Sequence, residues 1–119
     1  MNIGIDFDNT ITVEPRFFKR LATLMGGDSS VYIISSYEKG TRLSLEGTYR
    51  AKARQLKNWG ISYKRLDLVR EPISENKARL CNKYRIEIMI DDRAENVKTI
   101  NRMCRRTVCL QFVPAERLP

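Results

Sequence analysis

Four of the six aspartates in this 119-residue chain fall in two short segments. Asp6 and Asp8 belong to "IGIDFDNTIT" (3–12), and Asp91 and Asp92 to "IEIMIDDRAEN" (86–96). Each pair follows an apolar run of the kind that forms a buried strand. A carboxylate at the end of such a strand is unfavourable unless something pairs with it. Two such pairs at one sheet edge would repel each other unless a cation lay between them. The chain has no histidine, and Cys81, Cys104 and Cys109 lack metal-type spacing. The ligands on offer are therefore hard oxygens, which favour Mg²⁺, an ion that takes one or two carboxylates, water and a phosphate. Companions for a phosphate are present. Ser35 and Ser36 end the apolar run "SVYIISS" (30–36), and Lys77 opens a helical segment. A hydroxyl, an ammonium and a magnesium ion together neutralise a phosphoryl group.

Five short apolar runs, separated by segments of helical periodicity, position these residues. The strand expectations are 2–7, 30–36, 62–69, 86–91 and 107–112. A turn through Val13 to Pro15 leads into a helix over about 15–25. Its apolar face is Phe17, Phe18, Leu21, Leu24 and Met25, and Gly26 and Gly27 follow its end. Thr48 is read as the N-cap of a second helix, with a stripe of Tyr49, Ala53 and Leu56 and a stop near Gly60. Pro72 and Ser74 introduce a third helix through about Tyr84. Ala94, Val97, Ile100 and Cys104 mark the face of the fourth. Parallel strands need helical crossovers, so the expected fold is a single α/β domain over 1–119. It is a three-layer, Rossmann-like arrangement of a five-stranded, mostly parallel sheet with helices on both faces. In such sheets ligands bind beyond the carboxyl ends of the strands, where strand order reverses. The acidic pairs fall at strand ends, as that rule requires.

Composition narrows the chemistry. Without histidine, histidine bases and Ser-His-Asp triads are excluded, and most zinc sites with them, so acid–base work would fall to carboxylates, lysine or tyrosine. An apolar share of 42% and a mean hydropathy of −0.43 describe a soluble chain with no membrane partner. No secretory pattern opens it, and three cysteines read as reduced thiols, so a cytoplasmic location is expected. A net charge of +8 suggests polyanionic partners, nucleic acid among them. Trp59 reads as packing, and Arg93 as a solvated helix residue.

The ordered segments carry a resemblance. "DFDNT" (Asp6, Asp8, Thr10), a strand ending in Ser35, then Lys77 and "IMIDDRAEN" (Asp91, Asp92) resemble the four motifs of the haloacid dehalogenase superfamily. The resemblance implies a capless Mg²⁺-dependent phosphatase. In it Asp6 would be the nucleophile that forms an aspartyl-phosphate, and Asp8 the acid–base. Ser35 or Ser36, Lys77 and Thr10 would serve the phosphate. Asp6, the backbone carbonyl of Asp8, and Asp92 or Asp91 would hold the metal, with Asn96 supporting its shell. A site without a cap favours a phosphorylated nucleic-acid end or a nucleotide as substrate, or a small metabolite if a neighbouring subunit completes the site. "DDR" (91–93) also resembles the fourth motif of polynucleotide 3′-phosphatases. Phosphotransfer to another acceptor, and a nucleic-acid-binding module that has lost catalysis, are the other functional readings. The oligomeric state is open.

Overall fold

Strands and helices alternate through the computed structural model, which describes residues 1–25 and 30–117. The strands are β1 (Asn2–Ile5), β2 (Ser30–Ser36), β3 (Arg65–Val69), β4 (Ile88–Asp91) and β5 (Val108–Gln111). Between them run α1 (Pro15–Leu24), α2 (Leu45–Trp59), α3 (Ile73–Lys83) and α4 (Ala94–Met103). The sheet order is β3-β2-β1-β4-β5 and every neighbouring pair is parallel. The chain therefore winds outward from β1 through β2 to β3, then returns to lay β4 on the other side of β1. Strand order reverses between β1 and β4, the place where such sheets bind ligands.

Side chains alternate across the pleat and build two cores. Ile3, Ile5, Val31 and Ile33 pack with Phe18 and Ala22 of α1 and Leu56 of α2. On the opposite face, Tyr32, Ile34 and Met89 pack with Ala78 and Cys81 of α3 and Ile100 of α4. Gly4 faces this second core beside Met89, its partner in register. A Cβ there would stand 2.6 Å from the Met89 sulfur, so the missing side chain is what lets Met89 lie against the sheet. All three cysteines are buried free thiols. Trp59 is half-buried, its ring centroid 6.1 Å from that of Phe7, which is the packing role expected of it.

Several local expectations are corrected. The first strand stops at Ile5, although the Asp6 amide still donates to the Ile90 carbonyl at 2.9 Å. The chain then turns sharply, with Asn9 in the left-handed region at φ 60° and its amide donating to Thr12 Oγ1 at 2.9 Å. Asparagine tolerates this conformation better than most residues. The buried face of α1 is Phe18 and Ala22, with Leu21 and Met25 partly covered, while Phe17 and Leu24 stand 52% and 75% exposed. Gly26 and Gly27, read as the end of that helix, lie outside the described residues. Thr48 does not cap α2. That role falls to Ser44, whose Oγ accepts from the Gly47 amide at 3.0 Å, one turn earlier. The helix ends at Gly60, whose φ of 72° suits a residue without Cβ. No helix among the described residues is long and apolar enough to cross a membrane.

Candidate functional site

The turn after β1 and the end of β4 place their carboxylates against each other. Asp6 lies on the same face as Gly4, toward α3. Asp91 is the last residue of β4 and fully buried. Between them, Lys77 reaches up from the first turns of α3, only 1% exposed. Its ammonium donates to Asp6 Oδ1 at 2.6 Å and to Asp91 Oδ2 at 2.7 Å. Each carboxylate is held from a second side. Thr10 Oγ1 donates to Asp6 Oδ2 at 3.0 Å, a contact created by the turn through Asn9. Asp91 accepts from the Arg93 amide at 3.0 Å and from the Asn96 side-chain amide at 3.2 Å. Ser74 in turn donates to Asn96 Oδ1 at 2.6 Å.

One ammonium cannot neutralise two buried carboxylates, and the proton equilibria reflect that deficit. Burial pushes the Asp6 carboxyl up to about 7; Lys77 opposes the rise and the Asp91 charge adds to it. Burial alone would depress the Lys77 ammonium, but Asp6 and Asp91 outweigh it and hold its pKa above the ordinary 10.5. The carboxylate oxygens of Asp6, Asp91 and Asp92 approach within 4.8 Å of one another, close enough to share a cation. The three differ in how free they are. Asp91 is committed to Lys77, Asn96 and the Arg93 amide. Asp6 and the half-buried Asp92 face the cavity above the strand ends. Hard oxygens in this number could hold a divalent cation, with Asp6 and Asp92 open to it and Asp91 behind them.

That cavity has a volume of about 400 Å³ and a mostly polar lining. It receives Asp6, Asp8, Ser36, Lys77, Asp92 and Asn96 among the residues singled out from the sequence. Ser35 is not among its lining residues. It shares a face with Ile33, on the α1–α2 side of the sheet, and its buried hydroxyl has no partner among the described residues. Of the two serines, only Ser36 shares the face of Ile34 and Asp6 and lines the cavity. Asp8 points outward at the rim, where its Oδ2 accepts from Lys52 Nζ at 2.7 Å. Arg93 is half-exposed and also lines the cavity, donating to Glu38 at 3.1 Å, so it is not simply a solvated helix residue.

Among the cavity-lining residues not read as site residues from the sequence are Thr48, Lys52, Glu38, Thr41 and Ile73. Lysine in a helix normally marks a solvated face, and a threonine near a helix start reads as a cap. The available signal was the spacing of four between Thr48 and Lys52, which with Leu56 makes one continuous stripe. That stripe, Thr48, Lys52 and Leu56, is the buried face of α2. Tyr49, expected in the buried stripe, is exposed, and Ala53 is only partly covered.

Comparison with known proteins bears on fold and family. No protein-family model matches the chain, and no curated protein sequence matches it. Solved structures do. A universal stress protein in complex with cAMP superposes with a TM-score of 0.58 at 9% identity, covering 93% of this chain and 96% of its own. A protein of the universal stress protein family from Burkholderia pseudomallei gives a TM-score of 0.55 at 13% identity over the same shares. The likeness is one of fold: a five-stranded parallel α/β sheet with helices on both faces.

This finding corrects the family expectation. The neighbours in fold are universal stress proteins and not haloacid dehalogenase phosphatases. The assignment to that superfamily falls with it, as do the phosphomonoester hydrolase activity, the enzyme class and the aspartyl-phosphate route through Asp6 and Asp8. The physical reason lies in the topology. Any doubly wound sheet collects polar side chains at the carboxyl ends of its central strands, so acidic residues there locate a site without specifying a reaction.

Proposed function

We propose that this protein binds a phosphate-bearing nucleotide through a Mg²⁺ ion held at the β1–β4 edge. The observation that carries the reading is the convergence of Asp6, Asp91 and Asp92 around Lys77, in a polar cavity at the topological switch point. Four carboxylates (Asp6, Asp8, Glu38, Asp92) and three cations (Lys52, Lys77, Arg93) line the cavity. With Asp6 ionised, that leaves an excess of one negative charge, which would reject an anion, and a divalent cation reverses its sign. Phosphate binding is thereby made conditional on the metal.

In this reading Asp6 and Asp92 supply the carboxylate ligands, and the backbone carbonyl of Asp8 completes the protein's share. Thr10 fixes the orientation of Asp6. Ser36 and the remaining N–H of Lys77 donate to phosphate oxygens, and Asn96 keeps Asp91 in place. When bound, the metal supplies positive charge and a template that orients the phosphate. A cavity of about 400 Å³ lies within the range of roughly 300–1,000 Å³ common for small-ligand sites. The nucleotide class draws support from the cAMP bound by a universal stress protein of the same fold. Isothermal titration of AMP and ADP into the protein, with Mg²⁺ and with EDTA, tests the reading. Binding in Mg²⁺ that disappears in EDTA and in Asp92→Asn is expected; equal binding in EDTA would overturn it.

A further inference from the structure

The wall of the cavity formed by α2 carries two buried polar groups that the cation site does not use. Thr48 and Lys52 stand one helical turn apart, each only 7% exposed, and both line the cavity. The Thr48 hydroxyl is buried with no hydrogen-bond partner among the described residues. A buried hydroxyl left unpaired is disfavoured by about 1–3 kcal/mol unless something completes it. Lys52 fills one of its three donor positions with Asp8. Its ammonium also lies 4.4 Å from the centroid of the Phe7 ring, which fixes its direction. Asp8 is itself 53% exposed in its side chain, so it holds Lys52 at the mouth of the cavity without sealing it from a ligand. Asp8 and Phe7 hold Lys52 and Leu56 makes the core contact of this stripe, which leaves the buried Thr48 hydroxyl with no folding role among the described residues.

We infer that Thr48 and Lys52 form a second anion subsite, which takes the distal phosphate of a nucleoside diphosphate while the metal holds the other. This rests on the reading of the cavity as a Mg²⁺-dependent nucleotide site and adds what that reading does not specify, the number of phosphates. The Lys52 ammonium donates to a phosphate oxygen without leaving Asp8, and the Thr48 hydroxyl gains the acceptor it lacks. A monophosphate reaches the metal and leaves this wall unfilled. The discriminating residues are thus on α2, far in sequence from the acidic segments.

The test is titration calorimetry of AMP and ADP in Mg²⁺ on the wild-type protein, Lys52→Met, Lys52→Arg and Thr48→Val. The wild type should bind ADP about tenfold or more tightly than AMP, the increment expected of one charge-assisted hydrogen bond. Lys52→Met should weaken ADP binding far more than AMP binding and so bring the two affinities together. Lys52→Arg should retain most of the preference, and Thr48→Val should lose a part of it. A lysine that only neutralised Asp8 would change both nucleotides equally or neither, and that result would overturn the inference while leaving the cation site standing. Absence of Mg²⁺-dependent binding of both nucleotides in the wild type would overturn the inference together with the reading beneath it.

Discussion

Replacing Lys77 by methionine removes the one cation between two buried carboxylates and keeps most of the aliphatic stem. The ammonium is 2.6 Å from Asp6 and 2.7 Å from Asp91, and all three side chains are at least nine-tenths buried. Breaking a buried pair by removing one partner is destabilising by about 3–5 kcal/mol, because an uncompensated charge stays behind. An unfolding entropy of roughly 2 cal/mol/K per residue, over 119 residues, makes each kcal/mol worth about 4 °C. Lys77→Met should therefore lower the melting temperature in EDTA by about 12–20 °C. Circular dichroism melts at pH 8 would measure it.

Two further arms of the same experiment make the reasoning refutable. Without Lys77, which opposes the rise, the folded-state pKa of Asp6 moves further above its unfolded value. Groups shifted that way contribute stability at low pH that is lost as pH rises through the folded pKa. The deficit of Lys77→Met should accordingly shrink as the pH is lowered from 8 toward 5. In the double variant Lys77→Met/Asp6→Asn one stranded carboxylate is gone, so the losses should be strongly non-additive, with a coupling of about 1–3 kcal/mol. A single-variant loss below about 1 kcal/mol, or additive losses in the double variant, would refute the claim that these groups form one charge-compensated cluster.

Thr10→Val should lower stability by about 1–2 kcal/mol, read as a urea midpoint, because it removes the hydroxyl that donates to Asp6 in a fully buried position; Thr10→Ser should restore most of it. Ser44→Ala should lose about 1 kcal/mol, some 4 °C in a thermal melt, since Ser44 and not Thr48 caps α2. The buried thiols should resist Ellman's reagent at pH 8 in the native protein and react fully in guanidinium. Burial pushes Cys109 up to about 12 from 9.0. The stability it contributes is complete below pH 9 and declines as the pH rises toward 12, a decline that Cys109→Ala should flatten in alkaline melts.

The parts of the fold legible in the sequence were those with a strong period. The runs "SVYIISS" and "IEIMID" are apolar on both faces, as strands covered by helices on each side must be, and β2 falls on the residues expected. The wide windows 62–69 and 107–112 contract to Arg65–Val69 and Val108–Gln111, because ladder bonds and not composition decide where a strand ends. The clustering of the Asp6, Asp91 and Asp92 carboxylates was legible because carboxylates at buried strand ends are conspicuous. What escaped was whatever depends on face. Ser35 and Ser36 are indistinguishable in sequence, and one step of the pleat sends them into different layers. Lys52 has the composition of a surface residue and is buried only because α2 lies across the turn carrying Phe7 and Asp8. The reaction and family were not legible either, since a switch point filled with acidic residues is compatible with binding as well as with turnover.

In the proposed reading, the β1–β4 edge holds a divalent cation that in turn holds a nucleotide. Crystals grown with Mn²⁺ and ADP, with data collected at the manganese edge, test it most directly. An anomalous peak is expected between the carboxylates of Asp6 and Asp92, with a phosphate oxygen of intact ADP on the same ion. A peak elsewhere or none, ADP bound away from that edge, or phosphate released from the nucleotide would contradict it.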